Sequence, residues 1–243
     1  MRQRLWFAGI AAVALVALGG AGVYVYFFSG LRSSPTALGL STPSPAASPS
    51  TTPSSTSSTG LSGQWTVTTG SLAGYRVKEL FVGESAKHEA VARTSTVSGS
   101  LGVTGDATAG YQVSAITITV GLGDLHSVDS VVGRNVTNRD GIVERQLDVS
   151  QFPNATFTAP AASVPGPVTG QQVTIKVPGK LTIHGVTKDV TVTAKAQMNG
   201  DRIEIAGSVT ANMSDFGVSP PFAPFVTVDS AITIEFDLFL AKG

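Results

Sequence analysis

Histidine occurs at three places in this chain, His88, His126 and His184, far apart in sequence and without a ligand-spaced partner of the His-x-x-x-His kind. His184 stands at a strand-turn junction before Gly185, where a surface or turn-stabilising role is expected. The absence of cysteine removes thiolate metal sites, a cysteine nucleophile, disulfides and an acylated lipoprotein cysteine. Asp124, His126 and Ser127 lie close together, but serine-hydrolase triads assemble from separated segments, so their proximity in sequence argues little. No Gly-x-Ser-x-Gly elbow and no phosphate-binding glycine loop before a helix occurs. The residues therefore predict no enzyme, no catalytic residue, no metal and no cofactor.

A second cluster suits binding better. Arg134, Asn135, Asn138, Arg139 and Arg145 fall within twelve residues, in and just before a segment, 138–149, whose Ile142, Val143, Leu147 and Val149 mark one helical face. If that helix crosses the mouth of a barrel, Arg134, Asn135, Asn138 and Arg139 can meet a polar or phosphorylated head group by charge-assisted hydrogen bonds. A solvated helix face is the alternative, and the residues alone leave both open.

The elements that would position these groups are strands. Period-2 alternation is clearest at 190–198 and 232–240, with similar runs at 65–67, 113–120, 173–183 and 203–213. Asn199-Gly200 between two such runs is a hairpin signal. Seven or eight long strands joined by short turns predict an all-β fold, a closed antiparallel barrel of eight strands with one short helix. Ala194, Ala196, Ala206, Gly207 and Ala211 are expected on the inner face, which permits an apolar tunnel. An interior filled by larger side chains remains open beside it.

Residues 5–28 carry no charge, and 24 residues in a helix would span about 36 Å, longer than a bilayer core of about 30 Å. Arg2 and Arg4 precede this stretch and predict a single pass with the N-terminus inside and the rest outside the cytoplasmic membrane. A cleaved signal peptide is the competing reading, disfavoured by the bulky continuation to Phe28. Residues 1–32 are thus expected to be an uncleaved membrane anchor with its flanks. Residues 33–62, nearly all Ser, Thr, Pro, Ala and Gly, are expected to be a disordered linker reaching about 30–90 Å. Residues 63–243 remain for the folded domain. Once Arg2, Arg4 and Arg32 are set aside, 13 basic residues face 16 acidic ones, which disfavours a nucleic-acid partner.

Three segments carry a family resemblance. The run Gly179-Lys-Leu-Thr-Ile-His-Gly-Val-Thr-Lys-Asp-Val190 is the most specific; Phe152-Pro-Asn-Ala-Thr-Phe157 follows an Arg139-Asp140 pair; and Ser214-Asp-Phe-Gly-Val-Ser-Pro-Pro221 precedes the final strand. With Trp65-x-Val67, Ser71 and Tyr75-Arg-Val77 in order ahead of them, residues 63–241 resemble the YceI-like family of exported lipid-binding proteins. The stretch between Asp140 and Phe152 is shorter than in many members and lacks a His-Leu after Arg-Asp. The resemblance implies a lipocalin-like barrel whose interior takes a long-chain isoprenoid or similar amphiphile. Phe157, Leu181, Ile183, Phe216 and Phe236 are then the expected apolar contacts. The leading expectation is binding, sequestration or transfer of such a lipid. A structural or adaptor module that presents the 219–224 loop to a protein partner is the alternative.

Overall fold

The structure, a computed structural model, describes residues 32–42, 60–169 and 172–243. A two-residue strand β1 (Arg32–Ser33) comes first, followed by β2 (Gly63–Val67), β3 (Leu72–Phe81), β4 (His88–Thr94), β5 (Val97–Asp106) and β6 (Gly110–Gly121). Two short strands, β7 (His126–Ser127) and β8 (Ser130–Val131), precede helix α1 (Asn138–Gln146). Long strands β9 (Asn154–Pro165), β10 (Gln172–Ile183), β11 (Val186–Asn199) and β12 (Arg202–Asn212) follow. A 3-10 turn (Met213–Phe216) then leads to β13 (Val226–Lys242). No helix among the described residues is long and apolar enough to cross a membrane; the segment expected to do so, 5–28, lies outside them.

Eight strands close into an antiparallel ring in the order β12, β11, β10, β9, β6, β5, β2, β13, and β13 pairs back to β12. This is the barrel expected from the alternation. The last strand serves two neighbours on one side: Leu240–Lys242 pair with β2 at the base, and residues 226–237 pair with β3 towards the mouth. From there β4 and β7 extend the sheet to α1, whose Asp140 accepts hydrogen bonds from the Ser127 amide at 2.9 Å and the Ser127 hydroxyl at 2.6 Å.

Alternation decides which side chains face inward. Ile203, Ile205 and Val209 of β12 stand opposite Leu240, Leu238 and Ile234 of β13, and Trp65, Leu101 and Val192 join the same core. That register puts Ala194 and Gly207 inside but turns Ala206 outward, between Lys195 and Asp237, contrary to expectation. The β10–β11 hairpin has His184 and Gly185 as its two central residues, with φ of 51° and 71°. Two positive φ values are what a two-residue hairpin of the I′ kind requires, and histidine visits that region more readily than most residues. The Asn199–Arg202 hairpin forms as expected, with Gly200 at φ 66° in its first central position. Helix α1 is shorter than expected because Asp148 takes φ 44° and turns the chain, its carboxylate accepting from the Ser150 hydroxyl at 2.8 Å.

Residues 33–42, read from composition as part of a disordered linker, lie instead along the outside of the barrel. Starting near the mouth, Arg32 pairs with Glu84 and donates to the Ala86 carbonyl, and Ser33 and Ser130 join hydroxyl to hydroxyl at 2.8 Å. The Pro35 and Thr36 carbonyls accept from Arg76 and Arg93, at 2.5 and 2.6 Å. Further down, the Leu38 amide donates to Glu235 at 3.1 Å, and Ser41 gives both its amide and its hydroxyl to Glu204, at 2.6 and 2.7 Å. Glu204 and Glu235 are consequently almost wholly buried although they point away from the barrel interior. Of the expected linker, residues 43–59 lie outside the described residues.

An ideal Cβ on Gly179 would lie 2.5 Å from Phe157 Cζ and 2.6 Å from the Thr158 carbonyl oxygen, so Gly179→Val should destabilise the barrel by about 1–3 kcal/mol in urea unfolding. Burial, helped by the neighbouring charge of Glu204, raises the Asp237 carboxyl from 3.8 to about 6. Its Oδ1 is buried without a hydrogen-bond partner. A carboxyl raised on folding stabilises the folded state only while protonated, so this contribution is present below 3.8 and is lost as pH rises through about 6. Asp237→Asn should therefore gain about 1 kcal/mol at neutral pH, discounted for partial solvent exposure, and nothing at pH 3.5, measured as melting temperature against pH.

Candidate functional site

The ring encloses a cavity of about 890 Å³ that runs from Leu61, Val168 and Met198 at the base to Arg134, Pro221 and Phe225 at the mouth. Its wall is overwhelmingly apolar. Small side chains leave this space: Ala162, Ala194 and Ala196 line it where larger residues would fill the bore. Where the backbone carries no side chain, aromatic rings move in, Phe157 over Gly179 and Phe236 over Gly207. Phe157, Leu181, Ile183, Phe216 and Phe236, expected inside, all line the cavity, as do Arg134, Asn135, Asn138 and Arg139 around α1. Ile142 and Val143 of α1 and Leu147 just after it face it as well, so the helix closes part of the mouth with its apolar side.

The polar residues at the mouth are already engaged with one another. Arg139 bridges Glu79 at 2.8 Å and Asp129 at 2.8 and 3.3 Å. Asp129 also receives the Val91 amide at 3.0 Å and meets His88 Nε2 at 2.7 Å. Arg134 lies 3.9 Å over the Phe81 ring and 3.8 Å from Glu84. The Asn135 side-chain oxygen accepts from the Thr137 amide and hydroxyl and is committed to the turn before α1.

Electrostatics follow from burial in each case. Desolvation raises Glu79 above the ordinary carboxylate range, with Arg139 only partly opposing it. Burial likewise raises the Tyr75 phenol beside it. For Asp129 burial pulls the same way, but hydrogen bonds from His88, Arg139 and the Val91 amide outweigh it and hold the carboxyl down at about 2. Sequence reasoning missed Tyr75, Glu79 and Asp129. Glu79 stood out in principle, as a carboxylate at an inward position of an alternating strand.

The weaker chemical candidates come apart. The Ser127 hydroxyl donates to Asp140 rather than meeting His126, and His126 Nδ1 lies 2.9 Å from the backbone oxygen of Asp124. His184 stabilises its turn, edge-on to the Phe152 ring at 5.1 Å and 3.3 Å from the Phe216 carbonyl oxygen. No cluster of metal-ligating side chains occurs among the described residues.

A closed eight-stranded antiparallel barrel around an apolar bore, with a short helix and a ring of polar groups at one end, defines a lipocalin-like barrel. The YceI-like domain profile matches residues 65–240, and the chain belongs to that family. A UPF0312 protein of Pseudomonas putida is 37% identical over 95 residues, 37% of this chain and 47% of that protein. One from Pseudomonas fluorescens is 32% identical over 130 residues, 51% of this chain and 62% of that protein. The chain thus spans about half the length of the curated relatives it matches. Among solved structures, a polyisoprenoid binding domain from Saccharophagus degradans superposes with a TM-score of 0.53 at 17% identity, covering 75% of this chain and 99% of that one. At that identity the likeness is one of fold.

The buried Asp129 cluster gives a pH prediction of opposite sign to that of Asp237. A carboxyl lowered on folding stabilises above its ordinary value of 3.8, and that stability is lost as pH falls towards 2. Asp129 should contribute about 2 kcal/mol at neutral pH. Asp129→Asn should remove that amount and flatten the fall of stability between pH 4 and 2, followed by urea unfolding at each pH.

Proposed function

We propose that this protein binds and holds a long-chain lipophilic amphiphile, isoprenoid-like, in the interior of its barrel, outside the cytoplasm and anchored to the cytoplasmic membrane through residues 5–28. The observation that carries this reading is the 890 Å³ largely apolar bore with a cluster of polar side chains, Arg134, Asn135, Asn138 and Arg139, at its mouth, the shape of a site for one long tail and one head. The fold shared with a polyisoprenoid binding domain supports it, as does family membership.

The tail would lie along Phe157, Leu181, Ile183, Phe216 and Phe236, and the head would meet Arg134, Asn135, Asn138 and Arg139. Each methylene moved from water into the bore is worth about 0.8 kcal/mol, so one five-carbon isoprenoid unit contributes about 4 kcal/mol. Length is therefore the main source of affinity. The head-group side has a different character. Arg139 is neutralised by Asp129 and Glu79, and Arg134 stands near Glu84, so the mouth holds no surplus of positive charge. That balance favours an uncharged polar head, such as a hydroxyl or a quinone, over a phosphate.

Native mass spectrometry of the detergent-extracted full chain should find a bound long-chain lipid, and the emptied protein should take up a long-chain polyprenol. An empty protein that takes up none would overturn the reading. Ala194→Trp, which places a large ring across the bore at mid-height, should reduce uptake at least tenfold while the melting temperature stays within a few degrees.

A further inference from the structure

The docked segment 32–42 changes where the barrel can stand relative to a membrane. If residues 33–62 all acted as spacer, the barrel would work at a distance. Instead the segment is bound along its length, and its first residue is fixed at the mouth, where Arg32 pairs with Glu84 and β1 pairs with β8. Only Ser29, Gly30 and Leu31 separate Arg32 from Phe28, the last residue of the uncharged stretch. Four Cα steps of at most 3.8 Å bridge about 15 Å. The mouth is therefore tied close to wherever residue 28 lies, and the base points away.

The mouth also carries an uncommon surface. Val82 is 69% exposed, Val132 65%, Phe222 93% and Phe225 53%. They form one rim: the Val82 amide donates to the Phe225 carbonyl at 3.0 Å, and the turn holding Val132 is joined to the Glu84 loop through Arg134. The cavity reaches this rim, with Pro221, Ala223, Phe225 and Arg134 in its wall. At the base, Met198 alone is exposed to a similar degree among large apolar side chains of the described residues. Exposed apolar side chains gathered on one edge, rather than scattered, mark a surface that is covered in use.

We propose that the rim formed by Val82, Val132, Phe222 and Phe225 seats in the outer leaflet of the same bilayer that holds residues 5–28, so that lipid passes between leaflet and bore without crossing water. The inference rests on the anchored-carrier reading above. The occupant is the leaflet, because the apolar stretch ends within about 15 Å of Arg32, which is paired with Glu84 two residues from Val82 of the rim. The leaflet and the bore are both apolar, so the tail exchanges one greasy surrounding for another, and Phe222 and Phe225 need only reach the acyl boundary as interfacial aromatics do.

The absence of cysteine permits a clean test. Phe222→Cys and Met198→Cys, each carrying an environment-sensitive fluorescent label, are placed in the full chain reconstituted into phosphatidylcholine/phosphatidylglycerol vesicles. The label at 222 should shift to the blue, resist aqueous iodide and be quenched by brominated acyl chains, whereas the label at 198 should do none of these. Equal iodide access at both positions would overturn the proposal. So would protection at 222 without acyl-chain quenching, which would mean that a protein partner or second copy covers the rim. Carbonate extraction of the same vesicles separates the two levels: release of the chain sinks the anchor itself, while a retained chain with a water-exposed label at 222 sinks only the seating. As a functional readout, the triple variant Val82→Ser, Val132→Ser, Phe222→Ser, at rim positions outside the cavity wall, should slow polyprenol uptake from vesicles at least tenfold and leave uptake from detergent unchanged. Unchanged vesicle uptake would count against the proposal.

Discussion

Closing a sheet on itself sends every second residue of eight strands into one confined space, and the protein's other properties depend on how that space is filled. Water is excluded there, so the inward set must be apolar; the ring has a fixed circumference, so the bulk of that set decides whether the middle is solid or hollow. Here Trp65, Leu101 and Leu240 pack densely, while Ala162, Ala194 and Ala196 leave the bore open. Stability and capacity are in tension along the same strands. Each methyl group withheld from the wall gives up packing contacts and leaves room for a ligand that can supply them.

Charge is used sparingly but in buried, interlocked groups. Arg139, Asp129, Glu79 and His88 meet at the mouth, and Arg76, Glu235, Arg93 and Glu89 meet on the outer face beneath the docked segment. Desolvating such groups offsets much of their mutual attraction, so the net gain is small beside the attraction itself. They do reject alternatives. A helix shifted by one turn, or a segment displaced by one residue, would leave a buried carboxylate without its partner, and that is far costlier than a misplaced apolar contact.

What could be read from the sequence follows the same physics. The long strands were legible at 190–198 and 232–240 because alternation is imposed locally by the pleat. The expectation that Phe157, Leu181 and Ile183 line the interior came instead from the family resemblance. β5 was not marked out, since its Ser and Gly residues give little contrast between faces, and β4 was not because its apolar residues Ala90, Val91 and Ala92 are consecutive rather than alternating. The docked segment was invisible for a different reason: its order depends on Glu204 and Glu235, over 160 residues away, and composition reports nothing about distant partners. The arginines near α1 were conspicuous as side chains, whereas the carboxylates that occupy Arg139 sit on β3 and before α1 and could be matched to it only in three dimensions.

The docked segment ends at Ser41, held by Glu204 beside the β11–β12 hairpin, and the described chain resumes at Gly60, whose carbonyl accepts from Lys242 at 2.8 Å. Both points lie at the base. Residues 43–59, outside the described residues, therefore connect two fixed stations at the end away from the mouth. Closing such a connection depends only weakly on its length, at about 0.6 kcal/mol for a doubling. Selection on this stretch is thus freed from the geometry of the mouth: it can lengthen, shorten, change composition or acquire sugars without altering how far the opening stands from residue 28.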